Sequence, residues 1–233
     1  MSLKAMVFID GGWLYRARST IFSKLGEETF EIDYAKLPRL LCEDVANTLD
    51  EDVSLVRTLY CGTVPSYRSG FNTSKQHAFY DFLEKSCRYD VDIHEVDVGG
   101  DSVRSDENWI HMSLGAAMLY YAAQASAYDV AILVGDATDY APVMRRVRLF
   151  GKRVQIVSLH TSEGTPPTHG ESLIWKVRVS DFDPIFLDDH AMDLKLIREY
   201  RTRVCKQCGN EEETTWAGVD FFCSRCRGRY RND

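Results

Sequence analysis

The 233-residue chain predicts an α/β fold: a parallel sheet sandwiched by helices, followed by a small C-terminal ribbon built on four cysteines. Three observations carry this. Apolar, strand-like runs alternate with helix-periodic segments through most of the chain. Two of those runs end directly in carboxylates, Asp10 after Ala5–Ile9, and Asp136 with Asp139 after Val130–Val134. Near the C-terminus, Cys205-Lys-Gln-Cys208 and Cys223-Ser-Arg-Cys226 stand 14 residues apart.

Ala5–Ile9 is the first strand. Tyr34–Leu49 reads as a helix, with Pro38 tolerated in its opening turns, where the missing N–H costs no hydrogen bond. Val53–Val64 is β-rich, Ser74–Cys87 has helical periodicity through His77, Phe79, Phe82 and Leu83, and Val91–Val98 alternates as a strand. Asn108–Ala125 is a long helix. Val130–Val134 is apolar without a break, as a strand buried on both faces must be. A helix is expected to open at Tyr140–Pro142, to carry Arg145, Arg146 and Arg148, and to close at Gly151. Asp139 is placed to cap that helix as well as to bind a ligand. Arg153–Leu159 is the next strand, His160–Gly170 a loop, and Ser172–Leu187 a short helix and an edge strand around Phe182–Phe186. His190–Arg203 reads as a helical linker. The domain boundaries expected are 1–190 for the α/β body, 191–203 for the linker and 204–233 for the ribbon.

The formal charge of −7 is unevenly spread, since residues 195–233 hold nine Lys/Arg against six Asp/Glu. An acidic body argues against indiscriminate coating of nucleic acid, while the basic tail favours polyanions. No stretch is apolar for long enough to span a bilayer, and charged Asp10 interrupts the N-terminal apolar run too early for a signal peptide. The expected compartment is the cytoplasm, with no membrane partner.

Charge at the end of a buried strand is costly unless it does something there. Two such ends on one edge of a parallel sheet deliver Asp10, Asp136 and Asp139 to the edge where α/β folds bind ligands, and oxygen donors of this kind suit a divalent cation. Gly11 and Gly12 leave room for close approach. Cys42, Cys61 and Cys87 are scattered in apolar stretches and read as core residues. Cys205, Cys208, Cys223 and Cys226 instead form two knuckles, the pattern of a closed structural Zn²⁺ site. Redox-active dithiols would need a βαβ context that the tail lacks. Glu213–Trp216 and Val219–Phe222 are the expected ribbon strands. Arg225, Arg227, Arg229, Tyr230 and Arg231 suit nucleic acid or a docked protein equally.

FIDGGWLY at Phe8–Tyr15, together with LVGDATDYAPVMRRVRLFGKRV at Leu133–Val154, resembles the NYN domain, a family of the PIN-like nuclease superfamily. The resemblance covers about residues 4–190. It implies a PIN-like fold and metal-dependent RNA cleavage, with Mg²⁺ or Mn²⁺ held by Asp10, Asp136 and Asp139. Trp13 stands where the family's first motif has Asn, and the Asp136–Asp139 spacing is one residue longer than the family's. Counting back from Met118-Leu119 puts His111 at a helix position where the family often has Asp, and an imidazole there shifts preference toward Mn²⁺. RNA contacts are assigned to Tyr15, Arg16, Arg68, Lys75, Arg145 and Arg146. The alternative is a catalytically degenerate NYN protein that binds RNA or docks a protein through its ribbon. A haloacid-dehalogenase-type phosphohydrolase is disfavoured, because the second acid it needs is Gly12.

Overall fold

The computed structural model describes residues 2–23, 31–66, 70–97, 103–160, 179–197, 201–215 and 220–229, with backbone alone at 103–107 and 228–229. The chain divides into two compact units, Met1–Lys195 and Leu196–Asp233.

In the first unit β1 (Leu3–Asp10), β2 (Val53–Pro65), β3 (Asp90–Val96), β4 (Val130–Val134), β5 (Arg153–Ser158) and β6 (Ile185–Phe186) form one sheet in the order β3-β2-β1-β4-β5-β6. Every pairing is parallel. Parallel neighbours need crossover connections, and helices supply them: α1 (Gly11–Ser23) and α2 (Leu37–Leu49) after β1, α3 (Ser74–Lys85) after β2, α4 (Val103–Ala122) after β3 and α5 (Ala137–Leu149) after β4. Two apolar layers result. Ala5, Val7 and Ile9 of β1 pack with Leu14, Leu37, Leu41 and Val45 on one face. Met6 and Phe8 pack with Leu114, Met118, Tyr140 and Met144 on the other. The chain order reverses between β1 and β4, so the gap between their carboxyl ends is the switch point where open parallel sheets take ligands.

Helix α1 is not among the elements expected from the sequence, since Gly11-Gly12 at its start are weak helix formers. The buried residues Leu14, Ala17 and Ile21 show the helical spacing that drives it onto the sheet. Helix α2 begins at Leu37, three residues later than expected, because Asp33 Oδ1 accepts the Ala35 and Lys36 N–H groups at 3.0 and 3.1 Å and holds a turn there. Helix α5 begins at Ala137 and not at Tyr140. Asp136, not Asp139, is its N-cap, accepting the Thr138 N–H at 2.8 Å, and Pro142 falls inside the helix. Gly151 follows the C-cap at φ +76° as expected. The edge strand is reduced to Ile185–Phe186, and the helix expected over 190–203 stops at Leu194. Asp33 N–H bonds to the Leu194 carbonyl at 2.8 Å and Ile32 bridges Lys195, which ties that segment to the first unit in extended form.

In the second unit β7 (Arg201–Val204) and β8 (Glu211–Thr214) form an antiparallel hairpin, and a short helix, Ser224–Arg229, follows. The expectation of strands at Glu213–Trp216 and Val219–Phe222 is corrected: the hairpin brackets the first cysteine pair instead of filling the interval between pairs. The turn that makes this possible runs from Cys205 to Gly209, whose N–H bonds to the Cys205 carbonyl at 2.9 Å and whose φ is +71°. Residues 216–219 lie outside the described residues. Among the described residues no helix is long and apolar enough to cross a membrane.

Candidate functional site

Asp10 closes the central strand β1 at the switch point and is 2% exposed. A buried carboxylate is tolerated only when donors or cations meet its oxygens. Its Oδ1 accepts the Trp13 N–H at 2.8 Å, so the same side chain that faces the site also caps α1. Its Oδ2 accepts the Tyr140 hydroxyl at 3.0 Å and lies 3.4 Å from His111 Nε2. The glycines around it sit in close quarters. A Cβ at Gly11 would sit 2.4 Å from the Tyr60 ring, and one at Gly135 would sit 3.3 Å from the Asp10 Cβ.

His111 lies between two carboxylates, with Nε2 3.4 Å from Asp10 Oδ2 and 3.6 Å from Asp139 Oδ2. Its neighbours Ile110 and Leu114 are buried against the sheet, which turns the imidazole toward the carboxyl edge. The ring meets Tyr140 edge-on at 5.2 Å. Tyr140 is fully buried, and burial, reinforced by the Asp10 charge, pushes its phenol far above the ordinary range, so it is a fixed donor. Asp139 is half-exposed in the first turn of α5.

The structure therefore brings Asp10, His111 and Asp139 together, with Tyr140 behind them. Asp136 stands at the same sheet edge but turns back to cap α5. Among the described residues, two sets of three or more metal-ligating atoms lie wholly within 4.8 Å of one another, the four C-terminal cysteines and His160–Asp188–Asp189. Asp10, His111 and Asp139 instead form a chain with the imidazole in the middle. The 3.4 Å His111–Asp10 separation reaches the ligand–ligand edge of about 3.0–3.4 Å around a cation with bonds of about 2.1 Å, and the 3.6 Å His111–Asp139 separation is slightly longer than it. Two carboxylates and an imidazole are donors of the kind that suit a divalent cation.

The other expected residues scatter. Tyr15 is exposed on α1 with the Arg18 guanidinium 5.3 Å over its ring. Arg16 Nη1 lies 3.6 Å from where a Gly12 Cβ would stand, and Asp10 Oδ1 lies 3.4 Å from the same point, so this arginine borders the acid. Lys75 is exposed in the first turn of α3. Arg145 and Arg146 lie about 9 and 10.5 Å down the axis of α5 from Asp139, toward the opposite sheet edge, and are not gathered with the acids. Arg68 falls outside the described residues. Sequence reasoning passed over Tyr140 and also Asp92, which shares a register row with Asp10 through Cys61 and accepts the Ser113 hydroxyl. The alternation of Asp92 and His94 along β3 was the signal available for that face.

In the second unit the Cys208 and Cys223 sulfurs are 3.6 Å apart, close to the edge of about 3.8 Å expected for a tetrahedral ion with metal–sulfur bonds of about 2.3 Å. Cys223 N–H donates to Cys205 Sγ at 3.3 Å, and this bond leads in lowering the Cys205 thiol to about 6. Burial raises Cys226 to about 12. The cluster can hold a metal ion.

A family model described as the NYN domain matches residues 4–172. No curated protein matches. Among solved structures the chain is similar to a protein of unknown function from Vibrio parahaemolyticus RIMD 2210633, with a TM-score of 0.51 at 14% identity over 84% of this chain and 97% of that one. At that identity the likeness speaks to the fold alone.

Proposed function

The chain belongs to the NYN domain family, within the PIN-like nuclease superfamily, and from that premise we propose that it is a metal-dependent ribonuclease cleaving RNA phosphodiester bonds. The observation that carries the reading is the buried Asp10 at the switch point, with His111 Nε2 3.4 Å from it and 3.6 Å from Asp139. Asp10, Asp139 and His111 would hold Mn²⁺ in preference to Mg²⁺, since an imidazole joins the carboxylates. Bound there, the ion supplies an activated water and neutralises charge on the phosphate under attack. The chain's own residues do the rest. Trp13 N–H and Tyr140 O–H fix the Asp10 carboxylate, and Tyr140 keeps its proton. Arg16, beside Gly12, meets a phosphate brought to this edge. The four-cysteine cluster would hold Zn²⁺ as a structural ion, with the basic tail available to RNA or a protein partner.

The test is cleavage of a labelled single-stranded RNA pool with Mn²⁺, with Mg²⁺ and with EDTA. Wild type should cleave with Mn²⁺ fastest and not at all with EDTA, and Asp10→Asn should abolish turnover without unfolding the protein. Equal cleavage by Asp10→Asn would refute the site.

One observation favours a second reading. His111 occupies the bridging point between Asp10 and Asp139, where its imidazole itself sits against both carboxylates. A degenerate RNA-binding NYN protein would show RNA binding and no metal-dependent cleavage in the same assay.

A further inference from the structure

We propose a second divalent-cation site on the carboxyl edge of the sheet, formed by His160, Asp188 and Asp189 and suited to a first-row transition ion such as Mn²⁺. The register builds it. Ser158 of β5 pairs with Phe186 of β6, so two residues further on His160 and Asp188 stand opposite each other where both strands end. The two strand ends are locked together there, because the Leu187 N–H bonds to the Ser158 carbonyl at 3.0 Å and the His160 N–H donates to Asp188 Oδ1 at 3.1 Å.

The three side chains are held by different means. Asp188 is 5% exposed, a carboxylate taken out of water at the sheet edge. Asp189 follows it in a tight turn, with His160 Nε2 2.8 Å from Asp189 Oδ2. The imidazole plane is set by Phe186, whose ring stacks on it at 3.8 Å and 16°. Within the same turn Leu187 is fully buried, and His190 lies 2.8 Å from Asp44.

One ligand atom from each of the three residues lies within 4.8 Å of the other two. The 2.8 Å His160–Asp189 separation is close to the cis edge of about 3.0 Å around an octahedral ion with bonds of about 2.1 Å. Two hard oxygens and one imidazole nitrogen favour Mn²⁺, Co²⁺ or Zn²⁺ over Mg²⁺ or Ca²⁺. The site shares no residue with Asp10, His111 and Asp139 and does not depend on the nuclease reading.

The experiment titrates the metal-stripped full chain with Mn²⁺, counting bound ions by electron paramagnetic resonance and following the His160 ring signals by NMR. Wild type should bind one more Mn²⁺ than His160→Gln, with early broadening of the His160 ring signals. His160→Gln and Asp189→Asn should each weaken this binding at least tenfold. Both side chains are about half-exposed, so neither change disturbs the core, and thermal melts of the two variants check this. Asp10→Asn should leave the His160 broadening intact. Unbroadened His160 signals at saturating Mn²⁺, or equal ion count and affinity in wild type and both variants, would overturn the site. Mn²⁺ binding lost in Asp10→Asn but untouched by His160→Gln overturns this site while sparing the first, and the converse spares this one alone.

Discussion

Tyr140→Phe isolates the contact that holds Asp10 in place. The variant removes one oxygen and keeps the ring, which packs against Gly135 in the core, so no cavity of consequence is left. What is lost is a 3.0 Å hydrogen bond to a carboxylate that is 2% exposed. A hydrogen bond to a charged, buried acceptor contributes about 1.5–3 kcal/mol. For the unit Met1–Lys195 that corresponds to a fall in Tm of roughly 3–12 °C. Burial and the Asp10 charge hold the phenol protonated well beyond neutrality, so the loss should be the same at neutral and at mildly alkaline pH. The assay is urea unfolding of a double-mutant cycle with Asp10→Ala, which removes the acceptor outright. Tyr140→Phe should cost about 1.5–3 kcal/mol in wild type and little in the Asp10→Ala background. A cost that is the same in both backgrounds to within about 0.5 kcal/mol would refute the claim that Tyr140 acts through Asp10.

His111→Asp replaces the imidazole by a third carboxylate, and metal-dependent cleavage should move from Mn²⁺ toward Mg²⁺; an unchanged metal preference separates His111 from the ion. Gly11→Ala drives a Cβ to 2.4 Å from the buried Tyr60 ring, and should destabilise the protein by about 1–3 kcal/mol in thermal or urea unfolding, whereas a neutral result would mean that the ring yields freely. Cys223→Ser removes the sulfur 3.6 Å from Cys208, and elemental analysis should find the bound ion lost while the cooperative unfolding of the larger unit is unchanged; full retention of the ion would exclude Cys223 as a ligand.

Much of the fold was written locally. Val130–Val134 is apolar at every position because both faces of β4 are buried, and a parallel strand cannot hide that pattern. The four cysteines announce their cluster because knuckle spacing is a local property of the chain. Asp10 and Asp136 stand out because a charge straight after such a strand needs a reason. Other features depend on partners far away in sequence. Asp136 and Asp139 are alike as residues, and only the early start of α5, with Asp136 turned onto the Thr138 N–H, separates the cap from the side chain that faces His111. Tyr140 reads as an ordinary core aromatic until its hydroxyl is seen to meet Asp10, 130 residues away. His160 reads as a loop residue until the β5–β6 register sets it opposite Asp188. Strand and knuckle patterns follow from forces between near neighbours. Which side chains share a site follows from sheet order and register, which arise only when the whole apolar core is buried at once.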